Sequence, residues 1–163
     1  MPAVDAEHVN HLEGAVLTSR LAIARLPRRI AMHIGEFLLL RRAPTPIVPA
    51  LLSVRSAVSR LIELDRKAAM VVRADDTFCG VVCQASLIAA IARHRQAAFD
   101  QAVGDTAIDR DVAYCSVHDT LSSALWRLSE QGESFLVVTS RMRPMDLVFR
   151  DELAEWWVRR HSD

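Results

Sequence analysis

The sequence predicts an α/β (α+β) fold of two β-α-β-β-α motifs packed as a pseudo-two-fold pair, with an N-terminal helical extension. Three observations predict it. Sliding Ser53–Asp65 onto Thr120–Gly132 pairs Ser56 with Ser123, Ala57 with Ala124, Arg60 with Arg127, Leu61 with Leu128 and Glu63 with Glu130. Past this segment the match resumes with the offset shortened by one residue, so that Val71-Val72 falls on Val137-Val138, Val82 on Val148, Leu87 on Leu153 and Arg93 on Arg159. Finally, Pro44, Pro46 and Pro49 break the chain between the repeat and a leading segment with helical spacing. One such unit cannot cover its own apolar face, so the two copies are expected to be halves of one core.

In chain order, residues 1–45 form the extension. Val9, Leu12 and Val16, then Leu21, Ile23 and Leu26, recur at helical spacing up to Pro27. Arg28–Arg42 carries Ile30, Ile34, Phe37, Leu38 and Leu40 and reads as a second helix. The proline-rich break leaves room for a short edge strand at Ile47–Val48. The first motif occupies 46–102. Ser53 caps a helix with apolar positions at Val54, Ala57, Val58, Leu61 and Leu64. Ala68–Val72 is a buried strand, Arg73–Thr77 a turn, Phe78–Cys83 a second strand and Ser86–Arg95 a helix. The second motif, 103–163, repeats this grammar. Val112–Cys115 is a strand, Thr120 the helix cap and Gly132 the left-handed terminator. Ser134–Val138 is a strand, Thr139–Met145 a turn, Asp146–Phe149 a strand and Arg150–Arg160 the closing helix.

Composition narrows the function. Lysine plus arginine equals aspartate plus glutamate at 20 each, so nothing draws the chain as a whole to nucleic acid or to an anionic membrane. No apolar run approaches the ~20 residues that span a bilayer, and the polar start is not that of a signal peptide. Cys79, Cys83 and Cys115 are expected as reduced thiols of a cytoplasmic protein, with Cys79 and Cys83 on one face of a strand and too far apart for an easy disulfide. No phosphate loop, paired-carboxylate motif or metal-ligand spacing is present, so neither catalysis nor a metal is expected. His8 and His11 share a helix face without a third ligand. Ser116, His118 and Asp119 are too close in sequence to form a triad and suit a helix start. The arginines from Arg20 to Arg42, opposed only by Glu36, form either a solvated helix face or a surface for an acidic partner.

The doubled order, with a strand ending in Val-Val and Gly80-Val81-Val82 after the turn, resembles a pair of CBS domains. These are regulatory domains named after cystathionine β-synthase, and the tandem pair is called a Bateman module. The resemblance covers about residues 46–163, and Val103–Gly132 is its most telling stretch. It implies a module without catalytic activity that binds an adenosine-type ligand (adenosine, AMP, ATP or S-adenosylmethionine) in clefts between the halves. Occupancy would then pass to a regulated protein partner, and a homodimer is expected separately, from the surplus apolar surface of Ile34, Phe37, Leu38 and Leu40 in the extension and of Trp156 and Trp157 at the end.

In that family the ligand signature is Gly-x-x-Thr/Ser-x-x-Asp. The hydroxyl and the helix N-terminus hold a phosphate, and the carboxylate accepts both ribose hydroxyls. Here the first copy keeps Gly80 but has Cys83 at the hydroxyl position and Ser86 at the carboxylate position. The second has Asp146, Phe149 and Glu152 at the three places. Both are degraded for a phosphorylated nucleotide, and the second better suits a neutral or cationic adenosyl ligand, with Tyr114 at the strand end beside the cleft. Plainer readings stand beside these. Glu152 is also a first-turn acid favoured by the helix dipole, Ser86 an ordinary first-turn residue, and Phe149 and Tyr114 core aromatics. Of Trp156 and Trp157, one is expected to pack inward and the other to face outward. The alternative function is a structural dimerisation or interaction scaffold with vestigial clefts.

Overall fold

The computed structural model describes residues 32–41 and 43–161. The expected helix before Pro27, and His8 with His11, lie outside the described residues. Helix α1 (Ile34–Leu40) leads to the edge strand β1 (Ile47–Pro49), α2 (Val54–Glu63), β2 (Ala68–Val72), β3 (Phe78–Cys83) and α3 (Gln84–His94). A 3₁₀ turn (Arg95–Asp100) and the short α4 (Val103–Thr106) join this half to β4 (Tyr114–Ser116), α5 (Leu121–Gln131), β5 (Phe135–Ser140), β6 (Arg143–Phe149) and α6 (Arg150–His161). Each half holds a three-stranded sheet in which the first strand runs parallel to the second, and the second antiparallel to the third.

Strand alternation builds the layers. Ala68, Met70 and Val81 of one sheet meet Phe135, Val137 and Leu147 of the other, while Ala69, Val71 and Val82 turn towards α2 and α3. Leu136, Val138 and Val148 turn towards α1, α5 and α6. The order is helices, sheet, sheet, helices. Sheets buried on both faces explain the near-continuous apolar runs of β2 and β5.

Local chemistry sets the helix ends as expected. The Ser56 amide donates to Ser53 Oγ at 3.2 Å, the Ser123 amide donates to Thr120 Oγ1 at 3.2 Å, and Gly132 ends α5 with φ 68°. Several boundaries differ from the sequence reading. The turn read as Thr139–Met145 is only Arg141-Met142, both with positive φ, the geometry of a tight hairpin. Neither residue is of the glycine or asparagine type that signals such a turn. Strand β4 begins at Tyr114 rather than Val112, and α3 begins two residues early. Leu64 lies outside the buried stripe of α2, and Trp156 and Trp157 are both half-buried against the second core. A bulge at the end of β2–β3 overturns the shared face of Cys79 and Cys83. Cys79 packs with Val71 and Val82, whereas Cys83 packs with Met70 and Val81. Gly80 makes that bulge, with φ 152°, and a Cβ there would lie 2.5 Å from the Asp109 carbonyl oxygen.

The repeat extends further back than the sequence comparison placed it. Val103 and Gly104 donate their amides to Leu52 and Ala50, at 2.8 and 2.9 Å, and Val54 donates to Gln101 at 2.9 Å. In the other half Ile34 and Gly35 donate to Asp119 and Val117, both at 2.9 Å, and Leu121 donates to Met32 at 3.0 Å. The helix that precedes each motif therefore packs on the other motif. At Gly104 any side chain would be excluded, because its Cβ would sit 2.7 Å from that of Ala50.

A fragment ending at Phe99 loses α4 and uncovers Ala68, Met70 and Val81. It should be insoluble or molten. A sharply dispersed amide spectrum from a monomeric fragment would contradict the single shared core.

Candidate functional site

The two strand–helix junctions that carry the signature positions come together near the pseudo-two-fold axis. Cys83 and Gln84 from the first half, and Phe149 and Arg150 from the second, line one cavity of about 520 Å³ with Lys67 and Glu133. A volume of this order suits a small molecule. Phe149 also lines a smaller space of about 220 Å³ that includes Glu152, Arg66 and Lys67. Lys67 pairs across the halves with Asp151 on the exposed rim.

Ser86 is occupied locally. Its hydroxyl accepts from the Cys83 amide and donates to the Cys83 carbonyl, both at 2.9 Å, so it acts as a helix cap. Phe149 is half-buried against Phe135, with ring centres 6.1 Å apart. Tyr114, 42% exposed, lines neither cavity. Register explains the separation. Tyr114 pairs with Val137, while Phe149 pairs with Phe135, two residues earlier on β5. At ~3.3 Å per residue and ~4.8 Å per strand, their backbones stand roughly 12 Å apart. Ser116, His118 and Asp119 form a turn: Asp119 accepts from the Ser116 amide at 2.9 Å and from Arg127 at 3.2 Å.

Glu152 is not alone. Arg41, from the segment between α1 and β1, reaches into the second half with only 7% of its side chain exposed. Its Nη1 donates to the Leu147 carbonyl at 2.7 Å, its Nη2 lies 2.5 Å from Asp146 Oδ1, and its Nη1 stands 3.6 Å from Glu152 Oε2. Asp146 Oδ1 also accepts from the amides of Leu147, at 2.7 Å, and Thr45, at 3.2 Å. Sequence reading left Arg41 on a solvated face or facing an acidic partner; the acids it faces are the chain's own. Asp146 was the available signal. It stands where the first half has Gly80, on a strand buried on both faces, and a buried carboxylate requires a counter-charge.

This cluster is incompletely satisfied. Arg41 Nε and Nη2, Thr45 Oγ1 and Glu152 Oε2 are buried without a hydrogen-bond partner among the described residues, the Nη2 contact with Asp146 being an ion pair without hydrogen-bond geometry. Each such atom costs on the order of 1–3 kcal/mol. Burial pushes the Glu152 carboxyl above its ordinary range, and the opposing pull of the Arg41 charge is the smaller effect. The first half meets the same need differently. There the Asp109 backbone forms two rungs with Val81, with N···O distances of 2.8 and 3.0 Å. Among the described residues no group of three or more His, Cys, Asp or Glu could hold a metal ion, and no helix is long and apolar enough to cross a membrane.

No family model and no curated protein matches the chain. Solved structures do. The CBS-domain containing protein ATU1752 from Agrobacterium tumefaciens is 18% identical, with a TM-score of 0.69 over 79% of this chain and 96% of its own. The structure of CBSX2 in complex with AMP is 19% identical, with a TM-score of 0.61 over 78% of this chain and 96% of its own. The CBS domain pair of MJ0100, in complex with 5′-methylthioadenosine and S-adenosyl-L-methionine, is 12% identical, with a TM-score of 0.66 over 80% and 99%. The chain has the fold of a tandem CBS-domain pair.

Two substitutions separate the roles of the acids. Asp146→Ala removes the nearest counter-charge of a buried guanidinium and should lower unfolding free energy by roughly 3 kcal/mol or more. Glu152→Gln should stay within about 1 kcal/mol at pH 7, because the carboxylate is poorly solvated and makes no close hydrogen bond. With its folded pKa raised, Glu152 contributes stability fully below its unfolded pKa, and that contribution fades as pH rises through the folded value. Denaturant midpoints for both variants between pH 4 and 8 check this ordering; equal losses at pH 7 would refute it.

Proposed function

We propose that this chain is a regulatory module that binds an adenosine-type ligand in the cleft of its second half and passes occupancy on through the packing of the two halves. The observation that carries this reading is Glu152. It is half-buried at the diol-holding position, beside the Phe149 ring, with an oxygen that no hydrogen bond occupies. Proteins of the same fold that are bound to AMP, 5′-methylthioadenosine and S-adenosyl-L-methionine support the ligand class. A vicinal diol would satisfy Glu152, and Phe149 would give a base or sugar an apolar wall. Tyr114, two strands away, lines neither cavity. A phosphate would meet Lys67, Arg66 and Arg150 in the cavity linings, but Phe149 offers no hydroxyl, Lys67 is paired with Asp151, and Asp151 and Glu152 stand at the helix start. The output would run through a homodimer and a regulated protein partner, with exposed apolar residues such as Ile62, Ile88 and Trp126 on the outer helices available for contact.

A second reading, the structural scaffold with vestigial clefts, is favoured by the internal filling of both halves, by Arg41 in one and Asp109 in the other. Calorimetry separates the two. On the regulatory reading adenosine or S-adenosylmethionine binds at least as tightly as ATP, and Glu152→Ala weakens either by roughly tenfold or more. Much tighter ATP binding, or an indifferent Glu152→Ala variant, would refute the site. Heatless titrations together with a stable dimer in light scattering would favour the scaffold.

A further inference from the structure

Both halves fill the space behind the signature strand with the segment that leads into the next motif, but they use different parts of it. In the first half the filling is backbone. The Asp109 amide donates to the Val81 carbonyl and the Val81 amide to the Asp109 carbonyl, so a ligand could enter only by unzipping a bridge. In the second half the filling is one side chain. The Arg41 guanidinium lies between Asp146 and Glu152, and among the described residues of the segment the backbone contributes to Asp146 the single bond from the Thr45 amide. A side chain on a linker can swing out while its strand stays paired.

The grip is also uneven. Arg41 is 2.5 Å from Asp146 but 3.6 Å from Glu152, and Arg41 Nε and Nη2, Thr45 Oγ1 and Glu152 Oε2 have no hydrogen bond among the described residues. A pair of ribose hydroxyls could offer Glu152 the donors that Arg41 does not. The segment that Arg41 belongs to is anchored at both ends: α1 through Ile34 and Phe37 in the second core, and β1 through its pairing with β2 in the first sheet. Displacement of the arginine would therefore be felt where the two halves are tied together.

We infer that Arg41, which lines neither cavity but faces Glu152 from its buried side, is a latch that a nucleoside must displace from Glu152 before its diol can bind. The inference rests on the proposed adenosine site and adds to it a competitor within the chain. Apparent affinity then falls by the fraction of molecules whose cleft is open. If about nine-tenths are closed, removing the latch tightens binding about tenfold.

The test uses the full chain and adenosine as the ligand. Calorimetry should show Arg41→Gln binding adenosine at least about tenfold more tightly than the unaltered chain, with the gain lost in the Arg41→Gln/Glu152→Gln double variant. In the unaltered chain, amide hydrogen exchange at Thr45 should quicken when adenosine is saturating, as its partner Asp146 is released from the closed cluster. Adenosine binding equally to both chains, with Thr45 exchange unchanged, would overturn the latch and leave the binding site standing. Adenosine binding to neither chain at millimolar concentration would overturn the latch and the proposed site together. Should Arg41→Gln fail to fold, the Thr45 exchange measurement on the unaltered chain decides alone: quickened exchange supports the latch and unchanged exchange overturns it.

Discussion

Two sets of three backbone hydrogen bonds tie the molecule into one piece. Val103, Gly104 and Val54 form one set around Leu52 and Ala50, and Ile34, Gly35 and Leu121 form the other around Asp119 and Val117. Each set lays the helix preceding one motif against the cap region of the other motif's first long helix. The first set closes about 50 residues of chain and the second, which brings Ile34 to Asp119, about 85, so at ~0.6 kcal/mol per doubling of length the second closure costs only about 0.5 kcal/mol more. The second half thus has no complete core until the segment before the first half has docked, because Ile34 and Phe37 sit among Leu121, Leu125, Leu128 and Leu153. The central sheet-on-sheet contact can then be almost wholly apolar, since neither sheet ever has to face water alone.

Much of this was legible in the residues. The doubled helix pattern from Ser53 and Thr120, the apolar runs of β2 and β5 and the left-handed Gly132 follow from period, capping and composition, and all three appear as read. What was missed has identifiable causes. Ile34-Gly35-Glu36 repeats Val103-Gly104-Asp105, an apolar–glycine–acid triplet, but the proline-rich break hides it by suggesting a boundary after it. The Arg141-Met142 turn uses positive φ at residues that carry no turn signal. The Cys79–Cys83 face was lost because a period of two holds only until a bulge, and the bulge lies in the backbone at Gly80. Tyr114 and Phe149 looked like neighbours because both sit at strand ends, yet a separation across three strands depends on register, which one strand's sequence does not carry.

The candidate site shows how far residue-by-residue comparison of two halves can go. Glu152 was found because it occupies a position of known chemistry, while Arg41 was not, because the comparison of the two copies began only at Ser53 and Thr120. The demand for it was nonetheless written at Asp146. A buried carboxylate on a strand covered on both faces must be neutralised, and Lys67, the one lysine of the chain, lies on the exposed rim with Asp151. Only an arginine was available, and the Arg20–Arg42 region is the one stretch with arginines to spare. Charge balance therefore pointed to the leading segment, although it could not choose among its members.

The two halves differ in kind as well as in residue. Gly80 admits a neighbouring backbone, and a pair of backbone rungs is directional, cooperative with the sheet and hard to exchange. Asp146 admits a neighbouring side chain, held by its charge and by one hydrogen bond to the Leu147 carbonyl. A buried ion pair contributes little net stability compared with a well-packed apolar group of the same size, since desolvation offsets most of the attraction. An arrangement of that kind is poorly explained as reinforcement, because leucine or methionine at both places would hold the halves at least as firmly. Its distinguishing property is that either partner can be exchanged for another polar group without leaving a cavity. That property belongs to the second half alone.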